Sequence, residues 1–210
     1  MPVDHPLYPV NLVVAGRACL VVGGGRVAKG KVHGLLAAGA DVTVVAPSIA
    51  PGIEALAVRS EARPYRSPEA ADYRLAVAAT GDPAVNQQVY DDAEAAGVWV
   101  NSADDPDRCS FTLPAIVRQG RLTVTVSTGG HSPALSAWLK ERLDAELGPE
   151  YDVLVGVLAD VRSEIQAAGR ATESLDWRRA LDSGILELVR AGRLGEAKER
   201  LRACLSSSSD

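Results

Sequence analysis

Six residues near the start of the chain, Gly23-Gly24-Gly25-Arg26-Val27-Ala28, have the types and spacing needed to hold a diphosphate. They read G-x-G-x-x-A. Gly23 permits a tight turn, Gly25 lets the backbone approach a pyrophosphate closely, and Ala28 lets the following helix pack on a sheet. A helix starting here offers free N–H groups and a partial positive charge. Gly23, Gly25, Arg26 and Val27 are therefore candidates to bind a dinucleotide. A glycine-rich turn needs no ligand in itself. The context gives it weight, because the apolar run Ala18-Cys19-Leu20-Val21-Val22 precedes it and a helical pattern follows.

One feature departs from the fingerprint. At the end of the second apolar run an NAD site usually has an acid for the ribose 2′-hydroxyl. Here the chain reads Val44-Val45-Ala46-Pro47-Ser48, with neither an acid nor an arginine. Ala46 and Pro47 line that position, and Ser48 or backbone groups are left to hold the ribose. These residues do not choose between NAD and NADP. Further along, Thr80 and Asp82 follow a fourth apolar run, where nicotinamide-side contacts are common, and Asp82 before Pro83 is equally a good N-cap. Asn101 closes a fifth run, placed to meet the carboxamide or to satisfy local backbone.

Those residues need strands that end at one edge, and the pattern supplies them. Val42–Val45 follows a helix that stops at Gly39. Ala62–Tyr65 is expected as a third strand, Leu75–Ala79 as a fourth and Val98–Asn101 as a fifth. Pro83 opens a helix running to about Ala96, with Gly97 as its stop. Alternating strands and helices argue for an α/β, Rossmann-like open parallel sheet.

After Asn101 the character changes. Asp104-Asp105-Pro106-Asp107 is a turn cluster. Phe111–Val117 and Leu122–Ser127 read as strands of a small separate sheet. Ser132 and Pro133 start a helix to Leu147. Helices are expected over residues 151–168, 174–190 and 195–204, with Ser206–Asp210 disordered.

Composition bounds the function. The net charge of −5 excludes an ordinary nucleic-acid binder, so any anionic ligand needs a local cationic patch. Three scattered cysteines without a C-x-x-C give no zinc site and fit a reducing compartment. His5, His33 and His131 form no metal set by spacing. No apolar stretch approaches a membrane span and no leader pattern opens the chain, so a cytoplasmic protein is expected.

Several separate motifs resemble one family. Tyr8-Pro9-Val10-Asn11-Leu12, the Cys19–Ala28 stretch and Ala78-Ala79-Thr80-Gly81-Asp82-Pro83 with Val85-Asn86 look like precorrin-2 dehydrogenases. So do Val100-Asn101-Ser102-Ala103-Asp104, Ser110-Phe111-Thr112-Leu113-Pro114-Ala115-Ile116 and Val126-Ser127-Thr128-Gly129-Gly130-His131-Ser132-Pro133. Their order and spacing match the N-terminal module of siroheme synthase over roughly residues 8–147, and the helical tail matches only by size.

The resemblance implies NAD-dependent oxidation of precorrin-2 to sirohydrochlorin, and in some members Fe²⁺ insertion as well. It implies a homodimer formed through a β-rich dimerisation region at 113–147, after an NAD-binding Rossmann domain at 1–112. A C-terminal helical domain at 148–210 would close over the tetrapyrrole. It places the functional aspartate at Asp104, which follows the fifth strand where ligands of open sheets bind. Asp104-Asp105-Pro106 also suits a plain turn.

A substrate with eight carboxylates calls for cations, with Arg26, Arg108, Arg118, Arg121 and Lys140 as candidates and Arg108 the nearest to Asp104 in sequence. Ser127, Thr128, Gly129, Gly130, His131 and Ser132 are the substrate-side loop. Its glycines offer backbone N–H groups to an anion or simply make a turn. His131 adds a group that titrates near neutrality, or an idle exposed ring. An NAD(H)-sensing module without turnover is the competing reading, and it requires neither Asp104 nor the Gly129-Gly130 turn. From the length, no methyltransferase domain is expected.

Overall fold

The computed structural model of the chain describes residues 5–103 and 105–206. Two compact units divide it, one of residues 1–113 with 129–131 and one of 114–128 with 132–210.

The first unit is built on a five-stranded parallel sheet. Its strands are β1 (Ala18–Val22), β2 (Asp41–Ala46), β3 (Arg59–Ala62), β4 (Leu75–Ala78) and β5 (Trp99–Ser102), in the order β3-β2-β1-β4-β5. Central strands covered on both faces must be apolar throughout. Leu20, Val21, Val22, Val44 and Val45 are accordingly fully buried. Helix α1 (Arg26–Ala37) packs Ala28 and Val32 onto one face, and α3 (Pro83–Ala95) packs Val89 and Ala93 onto the other. Between β2 and β3 lies a one-turn helix, α2 (Pro51–Glu54), that buries Ile53 and was not expected from the pattern.

The third strand differs from expectation. It runs Arg59–Ala62, not Ala62–Tyr65. β3 is an edge strand, and edges favour polar, charged residues that the search for an apolar run overlooks. It stops because Arg63 folds back onto Glu61 and Glu69, and Pro64 has no N–H to extend the ladder.

In the second unit β6 (Ala115–Gln119) and β7 (Leu122–Val126) form an antiparallel hairpin. The expected strand from Phe111 starts only after Pro114. β7 alternates half-buried Leu, Val and Val with exposed Thr, as its sequence predicts. Helix α4 (Pro133–Glu146) begins as expected, with Ser132 Oγ accepting from Leu135 N at 3.2 Å.

Helices α5 (Glu150–Ala167), α6 (Trp177–Leu181), α7 (Ile185–Arg190) and α8 (Leu194–Ser206) enclose a core of Leu154, Val157, Val161, Ile185, Leu188, Leu201 and Leu205. The single helix expected over 174–190 is two, because Gly184 adopts a left-handed φ of 85° and breaks the ladder. Arg121 ties the hairpin turn to α5: its backbone N and Nε both donate to Asp152 Oδ1 at 2.8 Å. That pairing holds the Asp152 carboxyl below the usual range. Of the disordered tail expected at Ser206–Asp210, residues 207–210 lie outside the described residues, and Ser206 is instead the last residue of α8.

Among the described residues no helix is long and apolar enough to cross a membrane.

Candidate functional site

Because all five strands are parallel, their carboxyl ends share one edge, and the order reverses between β1 and β4. Ligands of open α/β sheets bind at such a switch point. The cofactor candidates of the sequence come together there: Gly23, Gly25, Arg26 and Val27 after β1, Ala46 and Pro47 at the end of β2, Thr80 and Asp82 after β4, and Asn101 in β5.

The glycine turn divides its work among three residues. Gly23 has φ +131°, donates to Val45 O at 2.9 Å, and a β-carbon on it would stand 2.2 Å from Ala79 O. Gly24 is equally constrained, since a β-carbon there would stand 2.0 Å from Ser48 O. Gly25 is different: it is exposed, with φ −94°, and nothing lies within 4 Å of its β-carbon position. It is the N-cap of α1, with no side-chain cap on the helix's first N–H groups. The turn thus packs against protein on one side and leaves open the side where uncapped donors point, which fits a diphosphate.

The other side chains at this edge are more engaged. Thr80 Oγ1 donates to Asn86 Oδ1 at 2.7 Å, and Asp82 Oδ1 accepts from Ala84 N at 2.9 Å as the cap of α3. Asn101 is buried, accepting from Lys31 Nζ at 3.3 Å and donating to Phe111 O at 3.1 Å. Arg108 donates to Asp105 Oδ2 and to Gln87 Oε1, both at 2.6 Å. Burial pushes the Cys109 thiol above its usual range, opposed in part by the charge of Lys31.

Lys31 was missed by the sequence reading. It lies three residues after Ala28 and four before Leu35, on the apolar face of α1, where a charge needs a partner. That misplacement was the available signal. Asp104, the catalytic candidate, lies outside the described residues. It follows Ala103, whose N–H donates to Ala78 O at 2.7 Å at this same edge.

Of the substrate-loop candidates, Ser127, Thr128 and Ser132 belong to the second unit and Gly129, Gly130 and His131 to the first. Thr128 Oγ1 accepts from Ser132 N at 3.0 Å, so the loop's own hydroxyl fixes the start of α4. Gly129 and Gly130 take φ of 60° and 84°, the region glycine enters freely.

Residues 10–115 match the family described as putative NAD(P)-binding. The chain belongs to that family. Residues 119–146 match a second, described as sirohaem biosynthesis protein central. The chain is 38% identical to a siroheme synthase of Nitrosococcus oceani over 203 residues, covering 94% of this chain and 43% of that protein. It is 37% identical to a siroheme synthase of Nitrosomonas europaea over 209 residues, covering 96% of this chain and 44% of that one. The chain therefore spans less than half the length of these relatives. Among solved structures, "SirC, precorrin-2 dehydrogenase" is 27% identical with a TM-score of 0.69, covering 94% of this chain and 100% of that one.

Proposed function

We propose that this chain oxidises precorrin-2 to sirohydrochlorin with NAD⁺ as the hydride acceptor. The observation that carries the reading is the turn at Gly23–Gly25, packed against Ala79 and Ser48 on one side and open on the other, at the switch point of the sheet. The likeness to a precorrin-2 dehydrogenase over the whole of that chain supports the choice of substrate.

Gly25 and the first N–H groups of α1 hold the diphosphate, and Thr80 and Asn101 border the nicotinamide end. Bound there, the nicotinamide supplies a two-electron acceptor. The oxidation takes two hydrogens from the macrocycle, one as hydride and one as a proton, and the Asp104 carboxylate receives the proton. Ser127, Thr128, Gly129, Gly130, His131, Ser132 and Arg108 are the groups we assign to the carboxylates of the tetrapyrrole. Residues 1–112 then form the NAD-binding domain, 113–147 the dimerisation region and 148–210 the helical domain of a cytoplasmic enzyme.

Anaerobic mixing of the purified chain with precorrin-2 and NAD⁺ tests this. The expected result is one NADH per sirohydrochlorin formed. Cofactor binding without either product would leave a sensing module instead.

A homodimer is part of the same proposal. Helix α4 has 14 residues and buries only Ser136, while Leu135 is 45% and Trp138 50% exposed. The neighbouring hairpin has only two strands, and Ile116 on it is 37% exposed. A two-stranded sheet is marginal alone, and an apolar helix face left in water is costly, so both gain from a second copy. Light scattering on the eluting protein is expected to give twice the 22.0 kDa chain mass. Trp138→Glu, which places a charge in the apolar patch, is expected to give single chains. A wild-type monomer at micromolar concentration contradicts the proposal.

A further inference from the structure

A carboxylate at the end of the second strand holds the ribose 2′-hydroxyl in NAD-specific folds of this topology, and repels a 2′-phosphate. Here β2 closes on Val44, Val45 and Ala46, with Pro47 and Ser48 exposed beyond it. Ala46 pairs with Ala62, the last residue of β3, so the position beside it carries no acid either. The next carboxylate along the chain is Glu54, the last residue of α2. Glu61 and Glu69 near the end of β3 are both taken by Arg63, the latter at 2.6 Å.

A cation stands against α2, the helix that follows this strand end. Lys29 lies on α1 one turn after the glycine loop, and its side chain crosses to α2. Its Nζ is 2.7 Å from the point where a β-carbon on Gly52 would stand, so the ammonium rests against the bare backbone of α2 at that glycine. Lys29 is half-buried and its ammonium makes no ion pair or hydrogen bond among the described residues, and the guanidinium of Arg26, at the start of the same helix, is exposed and equally without a partner there. The spacing of these groups is fixed, because Ala50 N donates to Gly24 O at 2.9 Å and fastens the segment after β2 to the glycine turn. An unpaired ammonium on a rigid frame suits a phosphate dianion, to which a charge-assisted hydrogen bond is stronger than to a hydroxyl.

We infer that this site accepts a dinucleotide bearing a 2′-phosphate, NADP⁺, about as well as NAD⁺, and that Lys29 sets this tolerance. The inference rests on the reading of the Gly23–Gly25 turn as the diphosphate seat. Titration calorimetry of the full chain with NAD⁺ and with NADP⁺ separates the two. The expected wild-type Kd values lie within about tenfold of each other at low salt, with NADP⁺ losing more affinity as salt rises.

Lys29→Glu is expected to weaken NADP⁺ at least about tenfold, the scale of one charge-assisted contact, while moving NAD⁺ less than about twofold. Lys29→Arg should retain NADP⁺, and Lys29→Gln, which adds no negative charge, should fall between. A wild-type Kd for NADP⁺ more than about a hundredfold above that for NAD⁺ overturns the inference and leaves the dinucleotide site standing, since 2.7 kcal/mol of discrimination would then need an acid the edge lacks. So does a Lys29→Glu protein that melts like wild type and loses both ligands equally. If neither dinucleotide binds, the underlying reading fails and the inference fails with it.

Discussion

Asp104→Asn is expected to slow precorrin-2 oxidation roughly a thousandfold, the usual contribution of a positioned general base, with the Kd for NAD⁺ unchanged. Hydride loss without proton loss would leave a cation on the macrocycle. A base near the strand edge removes that cost. Asparagine keeps the size and the turn preference of aspartate but accepts no proton at neutral pH. The chain is held to the sheet as far as Ala103 through the bond to Ala78 O, so the substitution follows a fixed point of backbone. A single-turnover anaerobic assay following NADH isolates the chemical step. A rate within about tenfold of wild type would remove Asp104 from the reaction, since acid–base roles contribute more than that.

The second large effect separates neighbouring glycines. Gly25→Ala is expected to fold normally and to bind NAD⁺ on the order of a hundredfold less tightly, because the new methyl occupies the space a phosphate needs. Its φ of −94° is open to alanine and nothing in the protein lies within 4 Å of the added carbon. Stability should hold or rise by about half a kcal/mol as the unfolded chain loses freedom.

Gly23→Ala should do the opposite. At φ +131°, with Ala79 O at 2.2 Å from the added carbon, it is expected to destabilise the fold by roughly 3 kcal/mol through strain and overpacking. Thermal melts with and without NAD⁺ distinguish the two. A Gly25→Ala protein that melts like wild type and still gains full stability from NAD⁺ would contradict the assigned role of the turn.

The parts of the fold legible in the sequence were those under the strongest constraint. Leu20–Val22 and Val42–Val45 are buried on both faces, so continuous apolar runs revealed them. Ser132-Pro133 and Asp82-Pro83 started their helices where capping chemistry predicts. Elements that answer to other forces were harder to read. β3 is a charged edge, α2 is a single turn held by one buried isoleucine, and the break between α6 and α7 turns on one glycine whose φ no pattern declares.

The position of the candidate residues at one sheet edge was legible because each stands at or just past the end of a recognisable strand. Lys31 and Lys29 were not. Lys31 is marked only by its place between Ala28 and Leu35 on an apolar face, its partner Asn101 being 70 residues away, and Lys29 looks like an ordinary helix-surface lysine until Gly52 is seen opposite it. Gly24 was passed over for the same reason: its constraint comes from Ser48, in a loop with no pattern of its own.

The central claim is that a dinucleotide diphosphate sits against the turn closing β1. A crystal structure of the chain grown with excess NAD⁺ measures this directly. Phosphate oxygens are expected within hydrogen-bond distance of the backbone N–H groups that open α1, with the nicotinamide directed toward Thr80 and Asn101. Density for NAD⁺ elsewhere, with the turn at Gly23–Gly25 left empty at saturating cofactor, would contradict it.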